Sequence, residues 1–492
     1  MGNNISLLLV VLPLIVAPIV AVLPRGRWAW AVSTVVAISC AVFAAMQLWT
    51  VVYDGTISYA LGGWAPPWGI EYRIDAVNAF MALIVAAIAA VTLPYALHSV
   101  EREIPKEKIS LFYCALLLCL TGLLGITQTG DIFNVFVFLE ISALSCYALI
   151  SLGRKRQALT AAYQYLIMGT VGATFYLIGV GFIYSQTGSL NMADLAAILP
   201  DVQHLRTVNT GFAFIMIGIA LKVALFPLHL WLPNAYTHAP SVVTVFLAAT
   251  ATKVAVYLML RMLFTVFPHG FAFASPAEEL MIASGIAAIL IASAYAIYQS
   301  DVKRLLAYSS VAQIGYMALG VGFASATSIA AAMIHLFNHA LMKGALFMAI
   351  GAIIYRIGSC RVDQLHGLGR AMPWTFGAII IGGLSLIGVP GTAGFISKWY
   401  LVAAALEQEA WIAVAVILFG SLLAVVYVGK LIEALYFKPL AETGKVITEA
   451  PASLLVPTWI LVLANIYFGV DTSLTVGVAE QAAAILLGGV DS

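Results

Sequence analysis

Charge is scarce in this chain of 492 residues: only 9% are Asp, Glu, Lys or Arg, against about 25% in ordinary soluble domains. With 63% of residues hydrophobic, that scarcity excludes a soluble globular protein and leaves a polytopic protein embedded in the lipid bilayer. The net charge is +1, and no run of like charge is long enough to form a tail, so nucleic acid is excluded as a partner. The five cysteines, Cys40, Cys114, Cys119, Cys146 and Cys360, match no zinc, iron-sulfur or redox spacing. A glycine loop of the dinucleotide-binding type is also missing. No metal and no cofactor is therefore expected, and the thiols read as buried packing. Met1 to Leu23 has no basic residue before its apolar run and no convincing small-residue cleavage site after it. It reads as a first span and not as a cleaved signal.

What the chain has in abundance is apolar segments of roughly 20 residues, the length that crosses a hydrocarbon core. After the first, they fall at about 28 to 52, 74 to 98, 109 to 128, 131 to 152, 158 to 186, 209 to 236 and 240 to 267. The series continues at about 277 to 298, 301 to 323, 325 to 357, 373 to 405, 410 to 436 and 453 to 469. The expected fold is an all-α membrane protein of about fourteen transmembrane helices forming one transmembrane domain over residues 1–492.

Basic residues favour cytoplasmic loops. Arg25, Arg27, Arg102, Lys106, Lys108, Arg154, Lys155 and Arg156 all fall in loops leading from an odd span to an even one. Lys303, Arg304, Arg356, Arg361, Arg370, Lys438 and Lys445 fall on the same side, whereas the other side keeps Arg73 and Arg206, with Arg261 near a span end. One missed or invented helix would swap the sides thereafter, so the unbroken bias supports the span count. Both termini are expected outside the cytoplasm, with the aromatic loop from Asp54 to Arg73 as an external cap.

Against this apolar background, Glu140, Lys222, Lys253, Lys343 and Lys398 lie deep inside spans. Each costs roughly 2.5 to 3.5 kcal/mol at mid-membrane on insertion scales, and the default reading of such a residue is an ion or proton pathway. Two of these spans are also interrupted. One carries Pro227 and Pro233 with Lys222, and the other carries Pro390 and its glycines with Lys398. Proline removes a backbone donor and clashes with the preceding turn, so each helix should break. Broken backbone at that depth is tolerated where it is buried in protein or lines a wet cavity. Either break alone could be a packing kink; paired breaks with paired lysines in spans of opposite direction fit an inverted repeat.

His335, His339 and Lys343 stand at i, i+4 and i+8 in HLFNHALMK. At 100° and 1.5 Å per residue they drift only about 80° around the helix while climbing about 12 Å. This stripe can pass protons, since histidine titrates near neutrality and a desolvated lysine can do so; the alternative is that each imidazole merely bonds a neighbour. Asp131 and Asp301 read as helix N-caps. His229 and His238 flank the first broken helix, as structural loop ligands or as gating groups.

GDIFNVFVFLEISALSCYALISLG, LKVALFPLHLWLPNAYTHAPSVVTVFLAATATK, SDVKRLLAYSSVAQIGYMALG, HLFNHALMKGALFM and GVPGTAGFISKWY resemble the antiporter-like membrane subunits. That family is shared by respiratory complex I, membrane-bound hydrogenases and the Mrp multisubunit cation/proton antiporters. The resemblance covers nearly the whole chain, and the wording is most similar to the D-type subunit of the Mrp sodium/proton antiporters. It implies two inverted five-helix repeats, about 109 to 267 and 277 to 436. It further implies a proton relay in which Glu140 pairs with Lys222, Lys253 joins the halves, and the region of His335, with His339 and Lys343, leads on to Lys398. The implied role is a transporter subunit that moves protons and monovalent cations, commonly sodium, among other membrane subunits in the cell membrane. Lysine at 398, and a chain that stops soon after its last span, depart from the glutamate-bearing complex I subunit and from the longest subunits of both complex I and Mrp. The short lysine-bearing complex I subunit, which pumps protons for an oxidoreductase without a redox site of its own, remains the alternative.

Overall fold

The protein is described here by a computed structural model covering residues 2–267, 271, 274–439 and 447–488. Lys445, one of the orienting basic residues, lies outside the described residues. The chain begins with α1 (Gly2–Ala21) and α2 (Gly26–Asp54), then an antiparallel hairpin of β1 (Ile57–Ala60) and β2 (Glu71–Ile74). The first half continues through α3 (Ala76–Glu103), α4 (Ile109–Gln128), α5 (Ile132–Ser151), α6 (Arg156–Thr187), α7 (Met192–Val202), α8 (Arg206–Val223), α9 (Trp231–His238), α10 (Ser241–Ala249) and α11 (Ala251–Arg261). The second half comprises α12 (Ala274–Ile297), α13 (Val302–Gly322), α14 (Ala326–Ile357), α15 (Pro373–Ile387), α16 (Ala393–Glu407) and α17 (Trp411–Tyr436), followed by α18 (Ala452–Val470) and α19 (Ser473–Leu486).

Among the described residues thirteen helices are long and apolar enough to cross a membrane, α10 and α11 counting as one. The fourteenth expected span is the pair α15 and α16, two helices of 15 residues each separated by a break. Three elements were not expected. The aromatic cap is a hairpin, with Trp64 and Trp68 exposed. Asn191 caps the short helix α7 by accepting from the backbone of Ala193 and Asp194. Beyond the last span, α19 packs on α14 and α3.

α14, 32 residues long, runs through the middle and touches α10, α13, α15, α16, α18 and α19. The helix pairs that close the two halves meet at glycines. A Cβ on Gly218 of α8 would lie 2.6 Å from the Gly172 carbonyl of α6, and one on Gly285 of α12 would lie 2.7 Å from the Gly315 carbonyl of α13. Small residues there let the backbones approach, the usual basis of helix association where water supplies no drive.

The basic loops gather at one end of the bundle, where Arg102, Lys155, Lys303 and Arg361 line one cleft. The hairpin lies at the other end, together with the described ends of α1 and α19. One backbone pairing occurs at both ends. Near the hairpin, Ile132 N donates to Leu190 O (2.9 Å) and Met192 N to Gly130 O (2.8 Å), with Asp131 capping α5. At the basic end, Val302 N donates to Cys360 O (3.0 Å) and Val362 N to Ser300 O (2.8 Å), with Asp301 capping α13. Both aspartates are thus the helix caps their sequence context indicates.

Arg261, at the carboxyl end of α11, is buried and ion-paired to Asp75, the residue that caps α3. The Arg261 side chain is 7% exposed and that of Asp75 10%, so removing one partner strands a charge. Asp75→Asn should therefore cost roughly 3 to 5 kcal/mol, and Asp75→Asn with Arg261→Gln should cost less than Asp75→Asn alone. Thermal unfolding of the detergent-solubilised chain measures both.

Candidate functional site

The first break begins at Ala224, which has φ +60° and ends α8 three residues before Pro227. Pro233 breaks nothing: it lies in the first turn of α9, where a missing N–H is harmless. The carbonyls freed at the end of α8 are met locally. Leu225 N donates to Ala220 O (3.0 Å), and the Trp231 indole donates to Leu221 O (3.0 Å). The indole is held by stacking on Tyr165, with ring centroids 4.1 Å apart and nearly parallel.

Lys222 sits in that last turn of α8, and its Nζ is 3.9 Å from Glu140 Oε1. Neither atom has a hydrogen-bond partner among the described residues. The pair is lopsided: the Lys222 side chain is 8% exposed and that of Glu140 25%. Glu140 shares its helix face with Phe133, Val137 and Leu144, all exposed on the outside of the bundle. On its inner side Lys222 borders a cavity of about 30 Å³ lined also by Cys146, Tyr165, Ala251 and Val254. That volume admits about one or two water molecules. It opens toward the first turn of α11, the helix that carries Lys253.

A third interruption was not expected, because LAATATK contains neither proline nor glycine. The chain leaves helical geometry at Thr250 (φ −127°, ψ −59°), between α10 and α11. The Lys253 ammonium turns back to the carbonyl of Ala248, at the carboxyl end of α10, and lies 3.3 Å from Thr252 Oγ1. Lys253 is fully buried.

His335, His339 and Lys343 are likewise fully buried along α14. Lys343 donates to Leu306 O (2.9 Å) and to Ser309 Oγ on α13. The two imidazoles are parallel, with centroids 6.1 Å apart. His335 Nδ1 and Ser397 Oγ share a hydrogen bond of 2.8 Å, while neither ring nitrogen of His339 has a partner among the described residues.

Ser397 immediately precedes Lys398, in the second half-helix of the other broken span. Lys398 Nζ donates to Leu386 O and Ile387 O, the last carbonyls of α15, and to Ser421 Oγ of α17, each at 2.9 Å. It also lies 4.9 Å from the centre of the Tyr316 ring, which is 5.6 Å from His335. Gly388, which follows α15, makes this fit feasible. Its φ is +91°, and a Cβ there would come within 2.9 Å of Lys398 Cδ.

Five of the residues singled out from sequence thus belong to two local groups, Glu140 with Lys222 and the set His335, His339 and Lys398, with Lys253 and Lys343 on the helices between them. His229 stands apart. It is buried in the first break and stacked on Phe226, with Nδ1 unpartnered among the described residues. Tyr316, Ser397, Ser421 and Trp231 were missed, since single serines and aromatics in apolar spans carry no distinguishing pattern. No group of three or more His, Cys, Asp or Glu converges among the described residues.

The chain is similar to known proteins over most of its length. The family described as "NADH:quinone oxidoreductase/Mrp antiporter, TM" matches residues 129–424. An NADH-quinone oxidoreductase subunit of the N type from Desulforudis audaxviator is 41% identical over 95% of this chain and 96% of its own length. A Na(+)/H(+) antiporter subunit of the D type from Alkalihalophilus pseudofirmus is 30% identical over 95% and 94%. Among solved structures, a chain of the archaeal membrane-bound sulfane sulfur reductase matches with a TM-score of 0.90 and 32% identity over 98% of this chain and 97% of that one. A chain of the Mrp complex from Dietzia sp. DQ12-45-1b matches with a TM-score of 0.90 and 26% identity over 99% and 97%. The chain belongs to the membrane-subunit family common to NADH:quinone oxidoreductases and Mrp antiporters.

Proposed function

We propose that this protein is the proton-translocating subunit of a multisubunit monovalent cation/proton antiporter, with sodium as the expected cation. The observation that carries the reading is the series of buried ammonium groups beside helix breaks, Lys253 and Lys398 bonded to the carbonyls that end α10 and α15 and Lys222 facing Glu140, with the stripe of α14 between Lys253 and Lys398. The carboxyl end of a helix carries about half a negative charge. It gives a proton in oil a resting place that is favourable yet weaker than a close carboxylate.

In this mechanism Glu140 sets the proton affinity of Lys222. At 3.9 Å their attraction is about 4 kcal/mol at an effective dielectric of about 20. Moving the carboxylate to twice that distance halves it, a loss of about 2 kcal/mol, enough to shift a proton equilibrium roughly thirtyfold. The proton released from Lys222 passes through the small cavity toward Lys253, then by water to His339 and His335. From His335 it reaches Lys398 by way of Ser397. Lys343 and His229 are secondary, the first biasing the stripe by its charge and the second lining the first break. Proton movement through the assembled complex drives cation export.

Two inverted repeats, 109–267 and 277–436, are part of this reading. The backbone pairing at Asp131, repeated at Asp301 on the other end of the bundle, supports them. We place the basic loops in the cytoplasm and both termini outside, on the positive-inside rule. Partner membrane subunits are expected against α5, because Glu140 is too exposed for a carboxylate facing lipid.

The 41% identity to an N-type oxidoreductase subunit favours a second reading, a proton-pumping subunit of a complex I-like oxidoreductase. The relay would be the same and the driving partner different, with this chain itself not an enzyme. Small hydrophobic partners without flavin or iron-sulfur absorbance in the purified complex are the expected result for the antiporter; those absorbance bands would move the assignment to the oxidoreductase.

Lys222→Ala and Glu140→Ala should each abolish sodium-dependent proton exchange in everted vesicles while the complex still assembles; normal exchange in either variant would exclude the route. Gly388→Ala, which crowds Lys398 and places a Cβ at positive φ, should lower the thermal stability of the solubilised chain by about 1 to 2 kcal/mol. The loss should shrink but persist in a Lys398→Ala background, because the backbone strain remains when the contact is gone.

A further inference from the structure

At the basic end of the bundle a cleft of about 430 Å³ lies where the two halves meet, between the end of α3, the loop before α6, the end of α9 and the loops flanking α13 and α14. That size falls within the roughly 300 to 1,000 Å³ of small-molecule sites. Its walls carry Arg102, Arg154, Lys155, Lys303 and Arg361 against two acids, Glu103 and Asp301. Both acids are occupied. Glu103 accepts from Ser241 N (2.9 Å) and Ser99 Oγ (3.1 Å). Asp301 accepts from Arg304 N (3.1 Å) and from the Cys360 thiol (3.4 Å).

Among the cations, Arg361 is ion-paired to Asp363 at 3.1 Å and Arg154 donates to Ile104 O (3.3 Å), but those around Lys303 are less well matched. Lys303 is 4% exposed, and its ammonium has one acceptor among the described hydrogen bonds, the carbonyl of Ala239 at 2.7 Å. Arg304 Nε, next to it, is buried without a partner among the described residues. The amino end of α6, a helix of 32 residues, begins at the cleft wall with no side-chain cap. His238 registers the resulting field. Burial first, and then the Lys303 ammonium, hold its imidazole below the ordinary range, with Arg304 and Lys155 acting in the same direction and Asp301 against them.

We propose that this cleft binds a phosphate-bearing anion, either the phosphodiester of an anionic phospholipid or inorganic phosphate. A surplus of guanidinium and ammonium groups, drawn from separate loops at the level where spans end, is the chemistry that recognises such a group. The bound phosphate would bridge Lys155 and Arg154 of the first half to Lys303 of the second and give the buried ammonium its missing acceptor. It would tie together the halves across which protons pass, without touching the relay itself.

The test uses the complex purified with this full chain and then delipidated. Retention of dioleoylphosphatidylglycerol and of dioleoylphosphatidylcholine is measured by native mass spectrometry, and binding of radiolabelled inorganic phosphate by equilibrium dialysis. The comparison variant is Arg154→Gln with Lys155→Gln, whose residues are exposed, and its thermal unfolding is compared with that of the wild type to show that it folds. Two basic groups near an anionic headgroup together contribute roughly thirtyfold in affinity, so the expected result is at least a tenfold weakening in the variant. Preference for phosphatidylglycerol over phosphatidylcholine that disappears in the variant assigns a lipid headgroup. Phosphate binding that disappears in the variant, without lipid preference, assigns the free ion. Equal retention of both lipids with no phosphate binding, or a variant that binds as the wild type does, overturns the proposal.

Discussion

An ammonium buried in a bilayer must find acceptors that do not cancel its charge outright, and this fold finds them by interrupting its own helices. A continuous helix has no carbonyl to spare at mid-membrane, because each one is taken by the N–H four residues on. Ending a helix there frees its last carbonyls and concentrates the negative end of its dipole. Lys398 occupies that position on α15, bonded to Leu386 O and Ile387 O, and Lys253 occupies it on α10, bonded to Ala248 O. Lys222 lies in the last turn of α8, but there Trp231 and Leu225 take the carbonyls. What remains for Lys222 is Glu140. The difference is physical: two lysines rest on fixed dipoles, whereas the third rests on a side chain that can move.

The surroundings of α14 continue this logic. Lys343 is bonded to α13 by two acceptors and is held in place. His339 has none among the described residues, and buried polar atoms of this kind are seldom left bare. His335 is intermediate, fixed by Ser397 on one nitrogen and without a partner on the other among the described residues. A relay needs both kinds of group. Fixed donors hold geometry, and under-bonded ones can reverse their role between donor and acceptor. Tyr316, between His335 and Lys398, adds a negative ring face that steadies the terminal ammonium.

Much of this was legible in residue order. Span count and the breaks at Pro227 and Pro390 follow from apolar length and proline chemistry, and the α14 stripe follows from helical period. The break at Thr250 was not legible. No residue in LAATATK forbids a helix, and the interruption belongs to tertiary packing and to the reach of Lys253 back to Ala248. Pro233 taught the opposite lesson, since a proline disrupts a helix only beyond its first turn. Ser397 and Ser421 escaped notice because a serine's partner depends on which helix faces it. The hairpin at 57–74 was hidden by a loop composition rich in Gly, Pro and Trp, which marks turns more strongly than strands.

Glu140 is where a single chain ceases to be a sufficient description. A carboxylate one-quarter exposed on a face of Phe133, Val137 and Leu144 is poorly placed against lipid, where its charge lacks hydrogen-bond donors. The same exposure makes it the group of the proposed relay most open to a neighbour. Lys398, with three acceptors at 2.9 Å, is held in part by the backbone of α15. The Glu140 side chain can turn outward on rotamer changes alone, and Coulomb energy falls with the first power of distance. A donor presented by an adjoining subunit would therefore compete with Lys222 for Glu140 and loosen the proton at the head of the chain. Coupling between subunits then requires no long-range deformation of this one. It requires a change of partner for one carboxylate, with the fixed lysines beyond it keeping the rest of the path in register.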